Sequence, residues 1–170
     1  MRVRAAAPAD LPGILAIYNE VIATSTAVYA LAPATLAERT AWLDGRRTHG
    51  YPVLVAEEDA QVLGFSSFGD WRAWPGYRFT VEHSVYVAAD RQGRGIGRLL
   101  VEALFPVAVK LGKHVMLGGI DAANATSIAF HRRLGFKEVA HFEEVGHKFG
   151  RWLDLVFMQR FLESPGVRRE

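Results

Sequence analysis

The chain has 170 residues, half of them hydrophobic, 11% aromatic and 22% charged, which is the make-up of one ordinary globular domain and not of a disordered, collagen-like or coiled-coil chain. It contains no cysteine, which excludes disulfides, thiolate metal sites, iron–sulfur ligation and a cysteine nucleophile. Twenty basic against 18 acidic side chains leave a net charge of +2, too slight to call for a nucleic-acid partner.

Met1 to Asp10 has no apolar run that would form the core of a signal peptide. The longest uncharged stretch, Val21 to Ala37, is broken by Pro33 and several hydroxyl residues and does not read as a membrane span. A cytoplasmic protein with no membrane partner is expected. Val3 to Ala6 reads as a short strand. Asp10 can cap the helix that follows, whose stripe is Leu11, Ile14, Leu15, Tyr18, Val21 and Ile22. After an irregular connection, Thr35-Leu-Ala-Glu38 matches a capping box and opens a second helix, which should stop before Gly50 and Pro52. Val53 to Glu57 and Val62 to Phe68 read as a hairpin turning at Glu58-Asp59-Ala60. An aromatic loop, Asp70 to Gly76, leads into a central strand, Phe79 to Val87.

The period then changes. Ile96, Leu99, Leu100, Ala103, Leu104 and Val107 carry helical spacing, with Pro106 at a position that can kink a helix. Val115 to Ile120 is a short buried strand. Asn124 or Thr126 can cap a helix running to Leu134, with Gly135 at its C-terminal turn. Lys137 to Lys148 and Trp152 to Phe161 read as closing strands, and the uncharged Val156-Phe157-Met158 suits either pairing with a second chain or the core. The resulting order, β-α-α-β-β-β-α-β-α-β-β, is a single mixed α/β domain over residues 1–163, with a frayed polar tail at 164–170.

Between the central strand and the next helix lies Gln92-Gly93-Arg94-Gly95-Ile96-Gly97-Arg98. Glycines there allow positive φ and keep side chains out of the way, so that successive N–H groups face one concavity at a helix N-terminus. Such a concavity attracts phosphate, and Arg94 and Arg98 add charge. The alternative is a plain glycine-rich surface turn. The spacing fails the P-loop, which needs Lys-Ser/Thr after its last glycine, and fails the dinucleotide fingerprint, which needs a third glycine where Leu100 stands.

The same run fits Gln/Arg-x-x-Gly-x-Gly after an apolar strand, and Asn124-x6-His131-x3-Gly135-Phe136 follows at the right separation. Together they resemble the acetyl-CoA signature of the GNAT superfamily of N-acetyltransferases. Thr80-Val-Glu-His-Ser-Val-Tyr-Val87, Ser127-Ile-Ala-x-His131 and Gly150-Arg-Trp-Leu-Asp154 are most similar to its phosphinothricin and methionine sulfoximine acetyltransferase group.

The resemblance implies a mixed sheet with splayed central parallel strands, acetyl-CoA as cosubstrate, no metal, a small amino-acid-like acceptor and a homodimer. Val85, Tyr86 and Val87 would offer backbone groups to the pantetheine arm, and a free Val87 N–H would receive the thioester oxygen. Gln92, Gly93, Arg94, Gly95, Ile96, Gly97 and Arg98 would hold the pyrophosphate, and Asn124 the pantetheine as well as its helix. Glu82 would be the base that deprotonates the amine, directly or through a water. On an ideal strand His83 faces the side opposite to Glu82. His131 stands where many members carry a thiolate-protonating tyrosine; it would act as acid, orient a water, or be structural. Arg72 would pair with the acceptor's carboxylate, with Pro75, Gly76 and Tyr77 shaping the pocket and Tyr29 walling the other side. Arg132, Arg133 and Lys148 read as a solvated face. Two rivals remain: a transferase for another amine, whose polycationic acceptor would favour an acidic pocket, and a non-catalytic acetyl-CoA-binding module. The one clear acidic run, Glu57-Glu58-Asp59, lies in the hairpin turn.

Overall fold

A computed structural model describes residues 1–162; the tail expected at 164–170 lies outside the described residues. Seven strands form one sheet: β1 (Arg2–Ala5), β2 (Val53–Glu58), β3 (Gln61–Asp70), β4 (Thr80–Val87), β5 (Val115–Asp121), β6 (Lys137–Lys148) and β7 (Arg151–Phe161), in the spatial order β1-β2-β3-β4-β5-β7-β6. Helices α1 (Leu11–Thr24) and α2 (Leu36–Thr48) join β1 to β2, α3 (Ile96–Lys110) joins β4 to β5, and α4 (Ala125–Arg133) joins β5 to β6. The element order is the one read from the sequence.

Local chemistry sets several boundaries. The Thr35 hydroxyl accepts from the Glu38 N–H at 3.2 Å while the Glu38 carboxylate accepts from the Thr35 N–H at 2.7 Å, a complete capping box at the start of α2. Asp10, by contrast, does not cap α1. Its buried carboxylate is taken by both arms of Arg4, at 2.7 and 2.8 Å, and by the Ala7 N–H at 2.7 Å. With both oxygens engaged by a two-pronged arginine and the Ala7 N–H, the carboxylate is turned away from the first turn of α1. α3 runs without interruption through Pro106.

The sheet is covered on both faces. On β4, Val81, Val85 and Val87 pack with Leu100, Leu104, Met116 and Phe136 beneath α3 and α4. The alternate residues Glu82, Ser84 and Tyr86 therefore point to the other face, where Tyr86 packs with Phe65 beneath α1 and α2. β7 lies inside the sheet, with Val156 and Met158 buried. It belongs to the core and offers no edge to a second chain.

Among the described residues β4 and β5 are the only parallel neighbours, and they pair at three positions: Thr80 with Val115, Val81 with Met116, and Glu82 with Leu117. Beyond that each goes on with another partner, β4 with β3 as far as Val87 and β5 with β7 as far as Asp121. The two strands splay, and a wedge opens between them.

Antiparallel pairing bonds alternate residues. The Ala88 N–H to Leu63 carbonyl bond, 2.9 Å, and the Trp71 N–H to Thr80 carbonyl bond, 3.4 Å, fix which residues of β4 turn toward β3: the even-numbered ones. The backbone groups of Val85 and Val87 consequently face the wedge. Tyr86, opposite Phe65, spends its backbone on β3, so the expectation that it offers backbone groups to a ligand is corrected.

Gly64 sits opposite Val87 at the open end of the wedge. A Cβ there would lie 2.8 Å from the Tyr86 carbonyl oxygen and 3.2 Å from Val87 Cα, both backbone atoms that no rotamer change can move. Gly64→Ala should push β3 off β4 and cost about 1–3 kcal/mol. Thermal denaturation would show it; an unchanged melting temperature would refute the tight approach.

Candidate active site

The turn after β4 takes the shape its glycines suggest. Gly93 and Gly95 have φ of +76° and +77°. Gly95 is the N-cap of α3 and has no side chain to satisfy the first turn. The first helical bond returns from the Leu99 N–H to the Gly95 carbonyl, at 3.2 Å, so the N–H groups of Ile96, Gly97 and Arg98 precede it without a helical acceptor. They edge a cavity of about 690 Å³ whose wall also includes Val87, Gln92, Gly93, Gly95, Asn124 and Phe130. Open N–H groups at the positive end of a helix dipole suit a phosphate.

Asn124 serves two purposes. Its Oδ1 accepts from the Ser127 N–H at 2.9 Å, capping α4. It also borders both this cavity and a second, smaller one of about 170 Å³, as does Ser127. The second cavity lies in the wedge and is lined by Glu82, Val85, Tyr86, Gly119 and His131 among others. The two cavities share Asn124 and Ser127, beside the parting of β4 and β5.

Glu82 is half-buried, and burial pushes its carboxyl above the ordinary carboxylate range. It does not stand straight off its strand. A Cβ at Gly119 would lie 3.1 Å from Glu82 Oε1, so the carboxylate leans across the wedge and forward by two residues from its register partner Leu117. Three residues, roughly 10 Å, then separate it from Val87 rather than the five of the unbroken strand.

His83 and His131 meet on the opposite face. Their Nε2 atoms are 3.2 Å apart, and His131 Nδ1 lies 2.7 Å from the Ser127 carbonyl. That carbonyl can only accept, so the proton of His131 sits on Nδ1, and its Nε2 accepts from His83. Both rings are buried against Phe136. Burial drives the His83 pKa down to about 3 and lowers that of His131 as well. The pair is neutral at neutral pH, an arrangement that braces β4 against α4 and holds no spare proton for a leaving thiolate. A Cβ at Gly118 would come within 3.1 and 3.3 Å of the two Nε2 atoms, so the bridge rests directly on the β5 backbone.

The remaining expected residues are distributed less evenly. Arg98 edges the larger cavity while pairing with Glu102 at 2.8 Å. Arg94 turns away to Glu58 at 3.1 Å and does not line it. Arg72, Pro75, Gly76 and Tyr77 are exposed and do not line the Glu82 cavity. They reach it by relay. The Arg72 guanidinium stacks on Trp71, the Trp71 ring meets Tyr77 and Phe157, and Phe157 would touch a Cβ at Gly119 at 3.5 Å, beside Glu82. Tyr29 lies against Gly146 and donates to the Asp154 carbonyl at 3.4 Å, between β6 and β7, and does not line the Glu82 cavity either.

Six residues of the larger cavity stand outside the site read from the sequence: Arg91, just before the glycines, and Thr126, Ser127, Phe130, Arg133 and Leu134 around α4, of which Thr126, Phe130 and Arg133 share one helical face. The spacing of 126, 130 and 133 carried that signal. Of the three cations expected to be solvated, Arg132 and Arg133 are exposed, the first pairing with Glu138 and the second also edging the larger cavity, whereas Lys148 is buried. The Lys148 ammonium donates to the Ser25 and Val28 carbonyls at 2.8 and 2.6 Å.

The site can hold a diphosphate, lay an extended arm along a strand edge and present a carboxylate at its end. The acidic run is committed elsewhere, Glu57 to Arg2 and Arg4 and Glu58 to Arg94, so it forms no cation pocket.

The acetyltransferase (GNAT) family matches residues 14–136. The chain is 52% identical, over 95% of its length and 94% of the relative's, to an L-methionine sulfoximine/L-methionine sulfone acetyltransferase of Pseudomonas aeruginosa. It is 37% identical, over 95% of its length and 83% of the relative's, to a phosphinothricin N-acetyltransferase of Alcaligenes faecalis. A GNAT superfamily phosphinothricin acetyltransferase of Sinorhizobium meliloti, solved with acetyl-CoA, superposes with a TM-score of 0.93 at 36% identity, over 99% of this chain and 92% of that one.

The neutral histidine pair has a consequence for stability. In the unfolded chain both rings take up protons near pH 6.5; folded, burial holds both below that, His83 down to about 3. Their contribution is whole above about pH 6.5 and is lost as pH falls, by up to about 1.4 kcal/mol per pH unit for each ring. Urea midpoints should drop between pH 6.5 and 5, above the carboxylate range, and a flat profile there would contradict the neutral pair.

Proposed function

The chain belongs to the acetyltransferase (GNAT) family, and from that premise we propose that it moves the acetyl group of acetyl-CoA onto the α-amino group of a small tetrahedral amino-acid analogue of the methionine sulfone, methionine sulfoximine or phosphinothricin kind. The observation that carries this reading is the pair of cavities that share Asn124 and Ser127 beside the parting of β4 and β5, one lined by Val87 with its open N–H and the other by the Glu82 carboxylate. The substrates named for the relatives support the acceptor class.

In this reading the N–H groups of Ile96, Gly97 and Arg98 hold the pyrophosphate, with Arg98, Gln92 and the bare backbone of Gly93 and Gly95 around it. Asn124, with Oδ1 occupied by its cap, donates from Nδ2 to the pantetheine arm. Val85 and Val87 pair with that arm as a strand would. An amine with a pKa of about 8 is mostly protonated at neutral pH and cannot attack. Glu82 hydrogen-bonds the amine and takes its proton. The nitrogen then attacks the thioester carbon, and the Val87 N–H receives the oxygen as it gains charge. The C–S bond breaks, the proton held by Glu82 passes to the thiolate, and Glu82, ionised again, takes the second proton from the new amide nitrogen and releases it to solvent. An N–H···O bond, a C=O, a near-attack N···C approach and a second hydrogen bond in series add up to about 10 Å, the span between Val87 and the leaning carboxylate.

His131 acts as a positioning residue through His83, not as the acid. Arg72 pairs with the acceptor's carboxylate. Trp71, Pro75, Gly76, Tyr77 and Tyr29 shape the mouth. Acetylation cancels the amine's charge, and with it the handle by which such analogues imitate an amino acid; detoxification follows. The enzyme works in the cytoplasm, where acetyl-CoA is drawn upon. The exposed Val139, Phe142 and Val145 on the edge strand β6 are the face for a second copy in a homodimer.

Free-thiol release tests the reading. Release should saturate with methionine sulfone and be absent with spermidine or kanamycin; the reverse pattern rejects it. Glu82→Gln should lower kcat by about 10²–10⁴-fold and abolish the low-pH inflection of kcat, which burial of Glu82 places above the ordinary carboxylate range. A variant with the inflection intact would remove Glu82 as base. Arg72→Ala should raise KM for carboxylate-bearing acceptors about 10- to 100-fold; an equal rise for amines without a carboxylate would take that role from it.

A further inference from the structure

Arg46 and Arg39, seven residues apart on α2, share the helix face turned toward the sheet. Each has a buried Nε with no hydrogen-bond partner. Arg39 is stacked between the rings of Tyr18 and Trp42, at 4.2 and 4.6 Å. Arg46 lies on the sheet itself: a Cβ at Gly69 would fall on its guanidinium. Gly69 is the register partner of Glu82. Directly opposed residues of an antiparallel pair point to the same face. The Arg46 guanidinium therefore sits one strand from the proposed base, on the same face as that carboxylate.

Arg46 forms no ion pair among the described residues. Asp70, which borders the same groove, is already held by Lys113 at 3.5 Å and by the Tyr51 hydroxyl. Burial lowers the Arg46 pKa against the opposing pull of Tyr51 and Asp70, and the Arg39 charge nearby adds to the lowering. A half-buried cation in this state favours an anion or a strong acceptor brought by a ligand.

We propose that Arg46 is a specificity-determining residue that binds the tetrahedral, oxygen-bearing end of the acceptor side chain. The inference rests on the acetyl-transfer reading and deepens it. Span decides between the acceptor's two oxygen-bearing groups. Arg46 lies over β3 and the Glu82 carboxylate over Gly119 of β5, two strand spacings across and two residues along, roughly 12 Å. An α-carboxylate oxygen is only about 3 Å from its own amine nitrogen; with a hydrogen bond of about 2.9 Å at each end it covers about 9 Å and falls short. A sulfone oxygen at the end of an N–Cα–Cβ–Cγ–S–O chain is about 6 Å from the amine and covers about 12 Å. The fork of a guanidinium matches two oxygens on one sulfur or phosphorus as it matches a carboxylate. Arg72, on the loop at the mouth, is left to the carboxylate.

The test compares methionine sulfone with methionine, which keeps the amine and carboxylate and lacks the oxygens; methionine is read as a substrate or as a competitive inhibitor. In Arg46→Ala the preference for the sulfone should fall about 10- to 100-fold, with KM for acetyl-CoA unchanged. Arg46→Gln, which keeps most of the bulk, guards against a loss of folding and should show the same fall. Gly69→Ala, which displaces the guanidinium without removing it, should show it too. An unchanged preference in folded variants, or equal losses for both compounds, overturns the proposal. Failure of the wild-type protein to release thiol with methionine sulfone would instead overturn the acetyl-transfer reading on which it stands.

Discussion

Three residues of parallel pairing between β4 and β5 determine most of what this molecule can do. Had the ladder run its full length, Val85 and Val87 would have given their backbone groups to β5, and no wedge would separate α3 from Gly119. Each strand is instead claimed by an antiparallel neighbour, β4 by β3 and β5 by β7, over seven paired positions each. Those outer partners let the two centre strands diverge without losing their place in the sheet. The stretch of unpaired backbone is then available to an extended ligand that behaves as a strand.

The face beneath α3 and α4 is largely apolar. At the wedge it carries two imidazoles that satisfy each other and a helix carbonyl, beside Asn124 and Ser127, while one nitrogen, His83 Nδ1, has no partner among the described residues. The opposite face is where charge is tolerated: Glu82 on the sheet, two arginines on α2 and Arg72 at the mouth. β4 separates the two by simple alternation, so consecutive residues Glu82 and His83 have unlike surroundings and unlike duties.

Much of this was legible in the sequence. The element order could be read because periodicity changes cleanly at Val87, and because Thr35, Asn124 and Gly135 mark helix ends by local chemistry alone. The glycine turn was legible for the same reason: positive φ at Gly93 and Gly95 is a property of those residues. What remained hidden depends on contacts distant in the chain. Asp10 looked like a cap until Arg4 claimed it. Tyr86 looked like its neighbours until the register assigned its backbone to β3. Lys148 looked solvated because nothing near it in sequence announces the carbonyls of Ser25 and Val28, more than a hundred residues earlier. Arg46 gave no local sign, since its meaning comes from lying on a glycine of another strand.

That ammonium has a consequence for motion. By holding two carbonyls of the connection after α1, Lys148 ties the segment that carries Tyr29 to the hairpin that follows α4. To swing outward, the segment would have to strip a cation of its dry ligands before water could replace them. The rim of the Glu82 cavity that Ala27 lines is therefore riveted, whereas the aromatic stretch ahead of β4 lies open to solvent.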